Sequence, residues 1–341
     1  MDDFKSALHF SREDRLAPSE LGRSKDASLY EPDLRDVWKH LDKHPKLDAA
    51  FDVAKGFEFF TEKVLRSQGL LSSVPKRGLV PVAINAKADY PVWEPPIAGY
   101  LDFGSKAYRA RGGGPKPGIA EVFINHSGPR ASWRFRAVVN EKKIVVGRAF
   151  LVFRACTVPS YSLTVLWAIL NSPVGNAYAY SWSGKRHTLA KQWREMPLPV
   201  PSRSQQWDIE AAAAAFLKVA VQPQAFTLTP PDEPAIRRAL LDLDAAVLRL
   251  YALPPALERQ LLTIFDGVDR PGVGCMFRGY PAGWSSRPAA PSLELPQDGR
   301  PIWERIADLA ERLPQELVAQ LPTDGASQLD HYLYGAPKTT R

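Results

Sequence analysis

The sequence concentrates its cationic side chains in its central third. Residues 100–200 contain 15 Lys and Arg and 4 Asp and Glu, a net charge of +11, whereas residues 1–99 carry −1 and residues 201–341 carry −3. A charge that serves solubility would be spread along the chain, so a local excess of this size indicates a polyanionic partner. Lysine and arginine neutralise the phosphates of duplex DNA, and arginine also reads guanine in the major groove.

The candidate contact residues all belong to this basic segment. They are the cations Lys106, Arg109, Arg111, Lys116, Arg130, Arg134, Arg136, Lys142, Lys143, Arg148, Lys185 and Arg186, together with Trp133 and His187. Tyr108 and His126 lie among them and have side chains that stack or form hydrogen bonds. The alternative interpretation is a solvated strand face, which is the usual setting of a charged run. We predict double-stranded DNA as the partner, without distinguishing base contacts from phosphate contacts.

An alternating pattern gives part of this segment a predicted orientation. Trp133, Phe135 and Ala137 alternate with Arg134 and Arg136. Because successive side chains of a strand point to opposite faces, the pattern predicts a strand with one apolar and one cationic face.

A nuclease of the carboxylate and lysine type is an alternative chemistry. It needs an aspartate followed by Glu-x-Lys at a strand end, and Glu141-Lys142-Lys143 supplies the second part. Asp102 and Glu121 are the nearby upstream carboxylates. Strings this short are common by chance, so they name candidates without establishing a site.

The histidines do not form a convincing metal site. His40 and His44 have the i, i+4 spacing of two ligands on a helix, but lysines flank them and a proline follows, which favours a solvated face. The C-terminal Asp330-His331-Tyr332 suggests acid–base or metal chemistry, but it lacks a second histidine at ligand spacing, and its role stays open. We predict no metal and no catalytic residue in this chain.

The elements that must position the contact residues are clearest between Ile144 and Ser202. The β-branched and aromatic runs 144–146 and 150–153 predict buried strands. Ser162 is the expected cap of a helix whose apolar positions fall on one broad face. Pro173 disfavours helical backbone at the residue before it, so that helix should end at Asn171-Ser172.

This string resembles the target-recognition region of bacterial DNA specificity modules. The shared order is a helix, the sequence LNSP, a basic tip at Gly184-Lys185-Arg186-His187-Thr188 and the extended Met196-Pro197-Leu198-Pro199-Val200-Pro201 before a polar helix start. Such modules occur as specificity subunits of type I restriction systems and as C-terminal regions of N6-adenine DNA methyltransferases. The resemblance implies sequence-specific DNA binding, although an ordinary exposed loop explains the tip equally well.

The resemblance does not extend to a catalytic half. Methyl transfer to adenine N6 needs an Asn/Asp-Pro-Pro-aromatic tetrad, and Trp93-Glu94-Pro95-Pro96 and Thr229-Pro230-Pro231-Asp232 do not match it. Gly112-Gly113-Gly114 precedes a proline and does not open a helix that would bind the methyl donor. The chain is therefore predicted not to be an enzyme, and S-adenosylmethionine is expected only through a partner subunit.

Elements outside this string follow from similar local signals. Leu34, Val37, Trp38 and Leu41 have helical spacing, and a short strand is predicted at 51–53. Turn residues at short intervals between 100 and 160 predict antiparallel strands. The segment 79–84 reads as an edge strand because Pro81 cannot donate to an inner ladder. Helices are predicted over 203–252, with a proline-rich break, and from Pro255 to Phe265, followed by a loop over 270–284.

Composition sets the broad class. With 341 residues, 45% apolar and 24% charged, the sequence is typical of a globular protein of two or three domains. Cys156 and Cys275 have no metal-like spacing, which favours free thiols in a reducing compartment. No apolar run approaches the roughly 18 residues of a membrane helix, and the N-terminus lacks a signal peptide pattern, so a cytoplasmic location is expected.

Together these signals predict an α+β protein with a central β-rich recognition domain. The predicted segments are 1–60 (helical or irregular), 61–202 (the basic domain), 203–284 (a helical spacer), 285–300 (a linker) and 301–341 (a small helical tail). The predicted function is target recognition in a bacterial restriction-modification or related defence system, acting with a separate methyltransferase or nuclease subunit. The alternatives are a truncated C-terminal part of an N6-adenine DNA methyltransferase, a carboxylate-type nuclease and a protein-interaction module.

Overall fold

The structure, a computed structural model, describes residues 34–85, 90–103, 108–109, 121–128, 131–156, 161–182, 189–221 and 231–287. The strands in this part of the chain are β1 (Phe51–Lys55), β2 (Glu58–Phe59), β3 (Leu71–Ser72), β4 (Val80–Ala83), β5 (Gly99–Leu101), β6 (Tyr108–Arg109), β7 (Val122–Asn125), β8 (Ala137–Val139), β9 (Val145–Val146) and β10 (Phe150–Ala155). The helices are α1 (Arg35–Leu41), α2 (Glu62–Ser67), α3 (Leu163–Asn171), α4 (Pro173–Trp182), α5 (Ala190–Arg194), α6 (Arg203–Ala220), α7 (Glu233–Tyr251) and α8 (Pro255–Thr263). The fold is α+β, as predicted.

The first sheet is antiparallel and has the strand order β1-β10-β7-β8. Its β-branched and aromatic residues alternate between two buried faces, which is the reason these segments are strands. Val53, Phe153 and Ile124 join the core shared with the helices. Val152 and Phe123 belong to a second apolar cluster on the other face. The predicted buried strands of the 144–202 string are confirmed as β9 and β10.

The second sheet has the order β3-β5-β4-β9, with β4 and β9 parallel. Ala83 and Val146 belong to the same cluster as the inner residues of the first sheet, so the two sheets share an apolar layer. Val82 and Val145 point the other way, into a third cluster beside α2 and β2. A two-stranded ribbon of β2 and β6 completes the strands described here.

The predicted edge position of β4 is wrong. This strand lies between β5 and β9, although it contains Pro81. Pairing with β9 begins only at Val82, so Pro81 precedes the ladder and its missing N–H interrupts no bond to that strand.

The helices begin and end where the sequence signals place them. The Ser162 hydroxyl accepts from the Val165 amide at 3.2 Å and caps α3, which ends at Asn171. Ser202 and Gln205 form a reciprocal capping box at the start of α6. The LNSP sequence does not end the helical region, because Pro173 is the first residue of α4, where a missing amide costs nothing. The predicted helices α1, α6, α7 and α8 are confirmed.

Asn171 of LNSP takes the place of a neighbouring strand beside β8. Its side-chain oxygen accepts from the Ala137 amide at 2.9 Å, and its side-chain nitrogen donates to the Ala137 carbonyl at 3.0 Å. Both residues are buried. Because unpaired buried backbone groups are costly, Asn171 fixes α3 against the edge of the first sheet.

Two further asparagines hold the segment before β8. The Asn176 side chain on α4 accepts from the amides of Arg134 and Phe135 at 3.1 and 2.9 Å. The Asn125 side chain at the end of β7 accepts from the Arg136 amide at 2.8 Å. Side chains instead of a ladder bond these backbone amides, and residues 133–136 precede β8 without being part of a strand.

One core connects the first sheet to the helices. The cluster of buried apolar residues contains side chains from Leu34 to Phe277, and thus from the predicted segments 1–60, 61–202 and 203–284. A buried ion pair between Arg270 and Asp244, with nitrogen to oxygen distances of 2.5 and 3.1 Å, ties the 270–284 loop to α7. Most of the predicted linker 285–300 and the whole of the tail 301–341 lie outside the described residues, so these boundaries stay predictions.

No helix of the described segments combines the length and the apolar character needed to cross a bilayer.

Candidate nucleic-acid interface

The predicted contact residues divide by what the structure describes. Lys106, Arg111, Lys116, Arg130, Lys185, Arg186 and His187 lie outside the described residues. Arg109 is placed as part of β6, opposite Glu58 of β2, but its side chain is outside the description. The remaining predicted residues fall into a buried group and an exposed group.

Trp133 belongs to the buried group. Its ring lies 4.1 Å from that of Phe265, and the Arg270 guanidinium lies 4.2 Å from its centre. Only 2% of the residue is exposed. The predicted stacking of Trp133 on a base finds no support, because in this conformation the indole has no accessible face.

Arg134 and Arg136 also lack the predicted arrangement. Arg134 is buried, and its Nε donates to the Ala131 carbonyl at 3.1 Å. The guanidinium of Arg136 lies 4.2 Å from the ring centre of Tyr90 and donates to the Tyr90 carbonyl at 3.2 Å. The predicted cationic strand face is absent here, because the asparagine contacts orient this segment and direct both arginines to protein partners.

Lys142 and Lys143 are exposed in the turn between β8 and β9. Lys143 has a φ of 54°, and Asn140 fixes the turn from inside. The Asn140 side chain accepts from the Ile144 amide at 2.8 Å and donates to the Ile144 carbonyl at 2.8 Å. This closed turn directs Glu141 and both lysines into solvent.

Arg148 is exposed in the turn at the other end of β9. Its Nη1 lies 3.0 Å from Glu58 Oε1, and 69% of its side chain is accessible. Glu58 of β2 lies opposite Arg109 of β6 in the two-stranded ribbon, so Arg148 lies beside the strand that contains Arg109, another predicted contact. The close packing of the chain here requires glycine at position 56, since a Cβ would lie 2.4 Å from the Gly147 carbonyl oxygen.

The exposed cations of these two turns lie at opposite ends of β9. Five residues lead from Lys143 to Arg148, and at about 3.3 Å per residue they span at most about 16 Å. Five base pairs of duplex at about 3.4 Å each cover a similar length. The spacing is compatible with separate phosphate contacts from the two turns.

Glu121 is a buried carboxylate that sequence reasoning considered only as part of a nuclease. Its Oε1 accepts from Asn140 Nδ2 at 3.2 Å, and its Oε2 lies 3.4 Å from Arg154 Nε. Burial raises the pKa of Glu121 to about 7, and this effect outweighs the opposing hydrogen bond from Asn140 and the charge of Arg154. Glu121 therefore supports the turn that holds the lysines from within the protein.

Within the described residues the fold separates Asp102 from Glu141-Lys142-Lys143, and Glu121, the other upstream carboxylate, is buried and bonded to Asn140. Glu141 is exposed in the turn before β9, whereas Asp102 follows β5, from which β9 is separated by β4. No group of three or more His, Cys, Asp or Glu residues suited to a metal ion is present within the described segments.

The predicted solvated histidine pair is His40 and His44. His44 lies next to Lys43 and His40, and its pKa is lowered mainly by partial burial and further by these neighbouring charges.

A cleft of about 610 Å³ opens between the ends of the two sheets, and sequence reasoning did not find it. We call it the phenylalanine cleft, after Phe57, Phe59 and Phe60, which line it together with Glu62 and Asn85. The closely spaced phenylalanines were the sequence signal available for predicting this cleft. That signal was insufficient because the other walls come from segments distant in the chain.

Comparison with known proteins gives a limited result. No family model and no curated protein matches the sequence. Among solved structures, the chain is similar to that described as "Structure of Type IIL restriction-modification enzyme MmeI in complex with DNA has implications for engineering of new specificities", with a TM-score of 0.44 and 14% identity. The match covers 65% of this chain and 36% of that one, so the chain spans about a third of that protein's length. At this TM-score and identity the likeness assigns neither activity nor partner.

Proposed function

We propose that the chain is the sequence-specific DNA-binding component of a bacterial restriction-modification or related defence system. In this proposal the β-rich region lies along duplex DNA, and its turns contact phosphates and base edges. The observation that carries the proposal is the +11 charge of residues 100–200, part of which is exposed as Lys142, Lys143 and Arg148 on the two turns that flank β9.

The resemblance in the 144–202 string adds support of a different kind. Its LNSP helix junction is a structural element here, since Asn171 and Asn176 bond to the backbone before and within β8. Contact residues in such an arrangement belong to loops and turns that a rigid frame positions. A frame of this kind suits recognition, because the loops can vary while the frame is retained.

Catalysis in this proposal belongs to a partner. The sequence has no Asn/Asp-Pro-Pro-aromatic tetrad and no glycine-bearing turn for a methyl donor. A methyltransferase or nuclease subunit would supply the chemistry, and S-adenosylmethionine would be bound there. The DNA-binding chain would determine which site is modified or cut.

The test is a salt titration of duplex binding by wild type and by the triple variant Lys142→Ala/Lys143→Ala/Arg148→Ala. Each lost phosphate contact reduces the slope of log K against log salt by about 1, so we expect a reduction of about 2 to 3 and weaker binding at every salt concentration. Fluorescence anisotropy with a pool of duplexes of different sequence measures both the slope and the preference for a site.

A matched variant controls for net charge. Lys218→Ala/Arg238→Ala/Arg259→Ala removes three exposed cations from α6, α7 and α8, and it should retain the wild-type slope. Binding that is absent, insensitive to salt or equally weakened by both triple variants would contradict the proposal. Equal weakening by both triple variants would favour a general charge effect. Absent or salt-insensitive binding would favour a protein-interaction module.

A further inference from the structure

The phenylalanine cleft lies where strands of both sheets end. Lys55 is the last residue of β1, Asn85 follows β4 and His126 follows β7, and all three line the cleft. Gly147 also lines the cleft, and a Cβ there would be 3.2 Å from the Ala83 carbonyl oxygen and 3.2 Å from the Phe59 ring. The cleft is therefore formed by long-range packing of several elements.

Aromatic rings give the cleft an apolar wall. Phe57 lies edge-on to Phe103 at 5.1 Å and is tilted against Phe59 at 6.0 Å. Phe57 and Phe60 are partly exposed, whereas Phe59 is buried. Stacking of a base on an aromatic side chain contributes about 1–3 kcal/mol and tolerates any base.

A fixed polar edge lies beside this wall. Arg66 donates to Glu62 Oε1 through Nε at 3.1 Å and Nη2 at 2.9 Å, and Asn85 Nδ2 donates to Glu62 Oε2 at 3.2 Å. A carboxylate accepts about four hydrogen bonds, and an amide has two donor hydrogens and an acceptor oxygen. Glu62 and Asn85 thus retain capacity to bond an edge that presents both donors and acceptors, as a nucleobase does.

Two cations lie at the rim. Lys55 is exposed, and Arg148 pairs with Glu58 in an exposed ion pair. Exposed pairs of this type contribute little stability, so a phosphate can replace the Glu58 carboxylate at low cost. An aromatic wall, a polar edge and rim cations together match the three parts of a nucleotide.

We propose that the phenylalanine cleft binds one unstacked nucleotide. The base lies against Phe57 and Phe60, its polar edge bonds to Glu62 and Asn85, and its phosphate lies at the rim cations. A volume of about 610 Å³ is within the range of about 300–1,000 Å³ that is typical of small-molecule sites. Where the nucleotide belongs to DNA, the inference rests on the proposed function; a free nucleotide is the other source of the same chemistry.

The first experiment compares two duplexes of equal length, one fully paired and one with a single unpaired base at its centre. We expect the wild-type chain to bind the second duplex about tenfold more tightly, since the unpaired base is already free to leave the stack. Asn85→Ala and Phe60→Leu should each abolish this preference while retaining wild-type affinity for the fully paired duplex. Gln68→Ala, an exposed amide outside the cleft, is the matched control and should retain the preference.

Two further measurements keep the test independent of variant folding. Fluorescence of 2-aminopurine at the unpaired position reports directly whether the base stacks on protein when the wild-type chain binds. Calorimetric titration with dAMP, dCMP, dGMP and TMP tests the cleft without duplex DNA.

The outcomes separate the two proposals. Equal affinity for both duplexes, with no binding of any mononucleotide, would overturn the cleft proposal and leave duplex binding intact. Mononucleotide binding that Asn85→Ala abolishes, in a chain that binds no duplex, would support the cleft as a free-nucleotide site and overturn the proposed function.

Discussion

Individual charged residues of the basic segment differ mainly in what surrounds them. Arg134 and Arg136 have protein partners, whereas Lys142 and Lys143 extend into solvent from a turn only a few residues further on. A cation that is already bonded to carbonyls and aromatic rings would have to give up those contacts to reach a phosphate. Exposure therefore separates candidate contacts from structural arginines more reliably than charge.

Glu121 gives a prediction at this scale. Its folded-state pKa of about 7 exceeds the ordinary value of 4.5, so between these values the folded protein retains a proton that the unfolded chain has released. The free energy of unfolding should then fall as the pH rises from about 4.5 to 7, by up to about 3 kcal/mol at about 1.4 kcal/mol for each pKa unit. Urea unfolding across this pH range should show that the free energy of unfolding of Glu121→Gln does not fall in this way.

The control for this prediction is Glu141→Gln, which removes an exposed carboxylate from the adjacent turn. It should retain the wild-type dependence on pH. A Glu121→Gln variant whose stability follows the same curve as wild type would show that Glu121 is charged in the folded state throughout.

At the scale of elements, asparagine side chains connect helices to the first sheet. Asn171 bonds to both backbone groups of Ala137, and Asn176 bonds to two amides just before β8. These bonds take the place of a strand at an edge where the described segments provide none. The junction between α3 and α4 is thus placed by hydrogen bonds as well as by apolar packing.

Replacing Asn171 by alanine tests this connection. The Ala137 N–H and C=O would both lose a buried partner, and at about 1–3 kcal/mol for each group we expect the free energy of unfolding to fall by about 2–4 kcal/mol. Urea denaturation followed by far-UV circular dichroism measures the change. Thr164→Ala on the same helix is partly exposed and should cost less than about 1 kcal/mol; equal costs for the two variants would contradict the role given to Asn171.

At the scale of the whole molecule, helices and sheets bury their apolar faces against one another. One core contains Trp38 of α1, Phe153 of β10, Phe216 of α6 and Phe265 after α8. A helix that buries one face depends on its neighbours for stability, so no single described element has a core of its own. The predicted domain boundaries at residues 60 and 202 separate segments whose side chains share this core.

A single cooperative transition is the expected consequence. Urea unfolding of the full chain carrying Trp303→Phe, which removes a tryptophan outside the described residues, should give coincident curves by far-UV circular dichroism and by tryptophan fluorescence. The remaining tryptophans of the core report on both sheet and helix contacts. Two separated transitions, one confined to the helices from α6 to α8, would instead support an independent helical segment over 203–284.

The sequence alone determined the features that depend on neighbours along the chain. The Ser162 cap and the proline after LNS located α3, the helical pattern over 203–252 located α6 and α7, and the β-branched runs located β9 and β10, because each reflects local backbone preferences. The +11 charge of the central third follows from composition. Only the tertiary structure decided that β4 is an inner strand, that Arg134 is buried and that a cleft opens beside Phe57. The physical reason is that these features follow from pairings between residues far apart in the chain, such as Val82 with Val145 or Trp133 with Phe265, whose energies no local pattern contains.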